Sequence, residues 1–170
     1  GGGRRGGVAR LGVLVAVGVA LAIADLAVKA WIEAQLGYRQ AWVVLPGLLS
    51  IDRVYNVYGT MLAIPGAKPF VTVLAVLLVP GSVLGYLYYL REGRPVVWAH
   101  AAFVGFFAGA LAKAGDLLWR GLIVDYLHIP GLPVADLADV YLLWLGGGCV
   151  LAASLCYPEA WPNIRDLLRN

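Results

Sequence analysis

Four stretches of the chain are apolar for long enough to cross a bilayer as helices, which takes about 20 residues each. Leu11 to Ala24 carries no charge, and the apolar pattern continues past Asp25 to Val28. Pro69 to Leu90 is uncharged throughout, Pro95 to Ala112 is uncharged and contains His100, and Val140 to Tyr157 is uncharged. The charged interruptions at Asp25, Lys29, Lys113, Asp116 and Asp139 all fall near one end of their spans. The pattern predicts an all-α membrane protein. Its four transmembrane helices lie at about 9–34, 68–90, 95–115 and 137–157, in one integral membrane domain over residues 1–170.

The connections differ in character. Arg91, Glu92, Gly93 and Arg94 make a very short turn between the second and third spans. Residues 37–67 form a long loop between the first and second. Its Trp42, Val43, Val44 and Leu45, then Leu48 and Leu49, then Val54, Tyr55 and Tyr58, are broken by Gly and Pro. β-branched and aromatic residues in that setting predict a small β-cradle of short strands or an interfacial helix. Residues 116–138 join the third and fourth spans. Arg4 and Arg5 before the first apolar run resemble a signal peptide, but three further spans follow, so an uncleaved anchor is expected.

Composition supports the membrane reading. Hydrophobic residues make up 61% of the 170 positions and charged residues 14%, against about 25% charged in soluble domains. The net charge of +3 does not point to nucleic acid, because the 13 basic residues are scattered and form no phosphate-binding stripe. Orientation follows Lys and Arg near span ends. Arg4, Arg5, Arg10, Arg91, Arg94, Arg165 and Arg169 fall on one side, read as cytoplasmic. Lys29, Arg39, Arg53, Lys68, Lys113 and Arg120 fall on the other. That is seven against six, and the weight rests on the short turn and the N-terminal arginines. Trp42, Tyr88, Tyr89, Trp119 and Trp161 near span ends read as interfacial anchors. The tail from Pro158 to Asn170 reads as a short interfacial helix. Cys149 and Cys156 read as packing residues, since one helix cannot bridge their seven-residue separation with a disulfide.

Ionisable residues at the rim of a span are costly and mark functional sites. Here Asp25, Lys29, Lys113, Asp116, Asp125, Asp136 and Asp139 fall at one end of the bundle. Asp25 and Lys29, four apart, suit an intrahelical ion pair. Asp136 and Asp139 follow Pro130 and Pro133 where the fourth helix begins, so capping explains both. Asp125 sits alone in Leu122-Ile123-Val124-Asp125-Tyr126-Leu127 and needs a partner. Two close carboxylates share a proton, so one activates water while the other donates to the substrate carbonyl. That chemistry needs no metal, and two histidines, His100 and His128, make a His-rich metal site improbable. The serines have no evident base.

At these residues the chain resembles the bacterial signal peptidase II family over nearly its whole length. Asp25-Leu26-Ala27-Val28-Lys29 is similar to the family's D-Q-x-x-K element. Tyr55-Asn56-Val57-Tyr58-Gly59 falls where the family has N-x-G-A-A-F. Ala108 to Asp116 falls at its G-G-A-x-G-N-x-x-D-R. Gly121 to Tyr126 resembles G-x-V-x-D-F, and Pro133 to Asp139 the F-N-x-A-D segment. The resemblance implies an aspartyl endopeptidase that cuts the signal peptide from a prolipoprotein just before its lipid-modified cysteine. Asp125 and Asp139 would be catalytic; the place of Asp139 near a helix N-terminus favours its charged form, so Asp139 reads as the readier to ionise and Asp125 as the proton holder. Asp25, Lys29, Asn56, Gly59, Lys113, Asp116 and Asp136 would support them or touch substrate. It implies no cofactor or metal. Its partners would be a diacylglyceryl-modified prolipoprotein and membrane lipids. The expected enzyme is a monomer in the cytoplasmic membrane, with both termini cytoplasmic and the site near the extracytoplasmic face.

The chain departs from the family pattern at Leu26, at Leu117, at the Asn56–Gly59 spacing and at Thr60-Met61-Leu62. Lys113 and Asp136 stand where the family has two asparagines. Opposite charges at both positions predict a compensating ion pair beside the aspartates. Two other readings stand beside the protease: a relative that binds lipopeptides without turnover, and a proton or solute pathway. Four spans without an inverted repeat argue against the second.

Overall fold

A computed structural model describes residues 2–59, 64–92 and 97–156. Thr60 to Leu62, Gly93 and Arg94, Tyr157, and the tail with Trp161, Arg165 and Arg169 lie outside the described residues. The chain runs through helix α1 (Gly2–Gln35), strands β1 (Ala41–Leu45) and β2 (Leu49–Asn56), and helices α2 (Lys68–Glu92) and α3 (Val97–Gly115). Strand β3 (Ile123–His128) and helix α4 (Leu137–Cys156) follow. A π-helical turn at Asp116–Arg120 prolongs α3, and α4 is π-wound over Val140–Gly147. Among the described residues, four helices are long and apolar enough to cross a membrane.

Helix α3 packs against α1, α2 and α4. Small residues make this possible: Ala102, Ala108, Ala110 and Ala112 are buried on it. Between helices in lipid, close van der Waals contact replaces the hydrophobic driving force. The approach to α4 is closest at two glycines. A methyl group on Gly105 would lie 2.4 Å from the Gly146 nitrogen and 2.6 Å from the Tyr141 oxygen, and one on Gly109 would lie 2.7 Å from the Ala138 oxygen. These are backbone atoms, which cannot swing away. Gly105→Ala is therefore expected to lower the unfolding temperature in detergent, with overpacking costing about 1–3 kcal/mol. An unchanged melting curve would mean that the helices do not meet here.

The outward faces stay apolar. Val13, Ile23, Phe70, Leu77, Leu84 and Leu155 are exposed, which suits lipid and not water. At one end Tyr86, Tyr89, Phe103 and Phe107 pack together. The Tyr86 ring stacks on Phe103 at 4.6 Å, and its hydroxyl lies 2.7 Å from His100 Nδ1. Tyr89, expected to anchor at the interface, belongs to this core because its ring is enclosed between α2 and α3. Trp119 is 90% exposed at the end of α3, as an anchor should be. Cys149 is buried but Cys156 is exposed, so only the first is a packing residue.

The strands form an antiparallel sheet in the order β1-β2-β3. Loop 37–67 supplies two of them, as expected. The third comes from the 116–138 connection, which the sequence presented only as a link. Six residues of mostly apolar sequence do not distinguish strand from helix by periodicity, and β3 is fixed by pairing with β2. His128 ends this strand, and its Nδ1 lies 2.7 Å from Asp52 Oδ2 across the sheet. Arg53 of β2 docks the sheet onto α1. Its Nη1 donates to the Glu33 and Leu36 carbonyls at 3.1 and 2.7 Å, two of the acceptors that a helix C-terminus leaves open.

Candidate active site

The site begins with a helix cap. Asp136 has extended backbone before α4, and its Oδ1 accepts the Asp139 N–H at 2.8 Å. The Asp139 carboxylate accepts the Asp136 N–H at 3.3 Å in return. This reciprocal box is the capping expected from sequence. It also fixes both carboxylates in direction, and Asp136 then meets two lysines, Lys29 at Oδ2 and Lys113 at Oδ1.

Lys29 is the first. Its Nζ lies 2.6 Å from Asp25 Oδ2, 2.5 Å from Asp116 Oδ2 and 2.6 Å from Asp136 Oδ2. The expected pair within α1 is present, but the ammonium also ties α1 to α3 and to the start of α4. Lys29 and its three partners are fully buried. At such a site a charge persists only when its partners are in contact. Beyond Asp116 the charges continue outward. Arg120 Nε is 3.8 Å from Asp116 Oδ1, and Arg120 Nη1 is 2.8 Å from Glu33 Oε2.

Lys113 is the second. Its Nζ lies 3.0 Å from Asp136 Oδ1, 3.0 Å from Asp139 Oδ1 and 4.0 Å from Asp125 Oδ1. The ion pair expected between Lys113 and Asp136 is therefore formed. Asp125 finds its partner on the neighbouring strand, where Asn56 Nδ2 donates to Asp125 Oδ2 at 3.0 Å. The sheet register makes this possible by setting Val54 opposite Asp125 and Asn56 opposite Ile123. Asn56 Oδ1 accepts the Gly59 N–H at 2.9 Å, closing a turn in which Gly59 has φ +76°, a region glycine enters without strain. Gly59 thus orients Asn56 by its backbone.

Asp125 and Asp136, the cluster's aspartates outside the spans, have opposite electrostatics. Burial, opposed by Lys113 and assisted by Asp136, pushes the Asp125 carboxyl up to about 7. Burial disfavours ionised Asp136 as well, but Lys113 and Lys29 outweigh it and hold this carboxyl below the usual range. Tyr126, beside Asp125 in the chain, was not singled out by the sequence. Its phenol donates to Asp25 Oδ1 and accepts the Leu137 N–H, each at 3.3 Å. Burial and the Asp25 charge raise its pKa further, so it stays a neutral strut between α1 and α4. Only its place next to Asp125 could have drawn attention to it. Arg120 and Glu33 were missed for the same reason: their pairing crosses 87 residues.

All nine residues expected at the site fall into this one connected cluster. Oxygens of Asp125, Asp136 and Asp139 lie within 4.8 Å of one another, as do those of Asp25, Asp116 and Asp136. Either set has the donors to hold a metal ion, yet each already surrounds an ammonium: Lys113 in the first, Lys29 in the second. Asp139 also lines a groove of about 250 Å³ walled by Leu127, Ile129, Leu132, Leu143 and Trp144. Buried acids beside an apolar groove can pass protons to and from an apolar substrate. Elsewhere, Ser50 Oγ donates to Asp52 Oδ1 at 2.6 Å and lies 3.4 Å from His128 Nδ1. This is not a nucleophile relay, because serine and aspartate meet the same ring nitrogen, whereas a relay uses both.

The family model described as signal peptidase (SPase) II matches residues 17–156, which contain the whole cluster. The chain belongs to the signal peptidase II family. A lipoprotein signal peptidase of Bifidobacterium longum is 33% identical over 169 residues, covering 95% of this chain and 87% of the relative. One from Latilactobacillus sakei is 27% identical over 143 residues, covering 83% and 92%. A solved structure described as a bacterial membrane enzyme at 2.3 Å superposes with a TM-score of 0.76 at 22% identity, covering 87% of this chain and 90% of that one. At that identity the likeness speaks for the fold. This member of the signal peptidase II family joins four apolar helices to a three-stranded sheet, and its charged cluster lies where they meet.

Proposed function

We propose that the protein is an aspartyl endopeptidase that removes signal peptides from lipid-modified prolipoproteins, with Asp125 and Asp139 as its acid–base pair. The observation that carries this reading is the meeting of two buried carboxylates, within 4.8 Å, at the rim of an apolar groove. Asp139 is the base. It takes a proton from water as the water oxygen adds to the scissile carbonyl carbon. Asp125, protonated up to about pH 7, gives its proton to the carbonyl oxygen. The resulting diol collapses: Asp139 gives its proton to the nitrogen as the C–N bond breaks, a diol hydroxyl returns a proton to Asp125, and the amine of the new N-terminus leaves. Asn56 orients Asp125 through its Nδ2 hydrogen bond, and the Asp136–Asp139 box orients the base.

The sheet end of the bundle is the extracytoplasmic side in this reading. Lys29 and Lys113 are buried in ion pairs, and Arg53 and Arg120 are bonded to the end of α1. They are internal structure and not free loop charges, which leaves Arg39 and Lys68 at this end against the seven arginines that the sequence assigns to the other, so the balance of orienting charges favours the other end as cytoplasmic. Membrane lipids surround a monomer whose groove opens beside Asp139.

The test is cleavage. The purified protein in detergent, given a diacylglyceryl-modified prolipoprotein, is expected to shift it on a gel by the mass of its signal peptide. The product should begin at the modified cysteine, and the unmodified precursor should be cut far more slowly. Binding without cleavage, while a control enzyme cuts the same substrate, would favour a lipopeptide-binding relative and overturn the reading.

A further inference from the structure

Lys113 touches both members of the aspartate pair, which a frame alone does not require. The groups Glu33, Arg120, Asp116, Lys29, Asp136 and Lys113 form an unbroken line of alternating charge from the edge of α1 to the aspartate pair. Each link is 3.8 Å or shorter. The frame is complete without Lys113, because Lys29 already joins α1, α3 and α4. What Lys113 adds is unequal contact with the pair: 3.0 Å to Asp139 and 4.0 Å to Asp125.

Resting on the reading above, we propose that Lys113, held in place by Asp136, is a positioning residue that assigns the negative charge of the pair to Asp139 and leaves the proton on Asp125. Two carboxylates this close cannot both ionise readily, and the partner nearer a fixed cation carries the charge. Asp136 supplies the fixing. Its Oδ1 holds Lys113, and its Oδ2 is anchored by Lys29. The line therefore determines where Lys113 stands as well as its charge. Other groups facing the pair do not substitute for it. From β2 Asn56 is neutral, and from β3 the Tyr126 phenol keeps its proton. From α1 Lys29 is fully engaged by Asp25, Asp116 and Asp136. From the end of α3 Arg120 contacts Asp116 and Glu33.

The consequence is a pH profile set by Lys113. A cation within about 4 Å shifts a carboxylate by about 1–3 pH units toward the ionised form. Removing it makes the pair hold its first proton to higher pH, so the acid limb of cleavage moves up.

The test is the double change Lys113→Asn with Asp136→Asn, which removes a charge of each sign and leaves Lys29 two partners. The Asp136 charge, which pushes Asp125 the other way, is lost as well, but Lys113 is the larger influence, so the expected result is a folded enzyme whose kcat/KM profile in pH is displaced upward by about one unit. On the acid side this is about a tenfold loss, with KM for the prolipoprotein little changed. Lys113→Arg, which keeps the cation, is expected to retain the original limb. A double variant whose profile superimposes on that of the unmutated protein overturns the proposal. So does one that does not fold, since the pair would then belong to the frame. Failure of the endopeptidase reading is distinct, because the unmutated protein would then cleave nothing.

Discussion

Asp125→Asn and Asp139→Asn are each expected to reduce cleavage by about a thousandfold or more, with the protein still folded. A positioned acid or base contributes about 10²–10⁴-fold to a rate, and groups that act as one unit lose most of their effect when either is removed. An amide at position 139 accepts no proton from water. One at position 125 has no acidic proton to give. Neither change leaves an unpaired buried cation, since Lys113 keeps Asp136 and one of the two aspartates. Folding should therefore survive, measured as thermal unfolding in detergent beside the cleavage assay. The double variant should be no worse than the worse single one. Retention of more than a tenth of the activity by either single variant would remove that residue from the chemistry.

The largest expected effect on stability is at Lys29. Lys29→Met keeps the length and apolar stem of the side chain but leaves Asp25, Asp116 and Asp136, with oxygens within 4.8 Å, without the ammonium that separates them. Breaking a buried ion pair by removing one partner costs about 3–5 kcal/mol, and here three carboxylates lose a shared partner. Against a typical total stability of about 5–15 kcal/mol, the variant should unfold in detergent at temperatures where the unmutated protein is intact. The sign of its pH dependence follows. Carboxylates crowded without a cation destabilise the folded state only when ionised. Acidification from pH 7.5 to 5 should therefore raise the variant's unfolding temperature by more than that of the unmutated protein, which gains only from protonation of groups such as Asp125. A variant that melts like the unmutated protein at neutral pH would mean that Lys29 does not bridge the three helices.

Much of this was legible one residue at a time. The four spans follow from uninterrupted apolar length, because backbone in lipid must satisfy its own hydrogen bonds. The cap at Asp136 follows from its place before an apolar helical run. The Asp25–Lys29 pair follows from a spacing of one helical turn. These are local facts, decided by neighbours within four positions. The order of the motifs on the chain added the resemblance that named both aspartates.

What the sequence did not carry was pairing across the chain. Nothing local marks Ile123–His128 as a strand. It becomes one because β2 offers an open edge, and that pairing places Asp125 within reach of Asn56, 69 residues away. Lys29 reads as half of an intrahelical pair until the packing of α1 on α3 and α4 gives it two more carboxylates. Tyr89 reads as an interfacial anchor until the helices close around it. The sequence by itself determined which residues had to leave water and which charges went with them. Only the tertiary structure decided which charges meet, because in a low-dielectric interior each buried charge is stabilised by whatever the fold brings within a few ångströms, however distant in sequence.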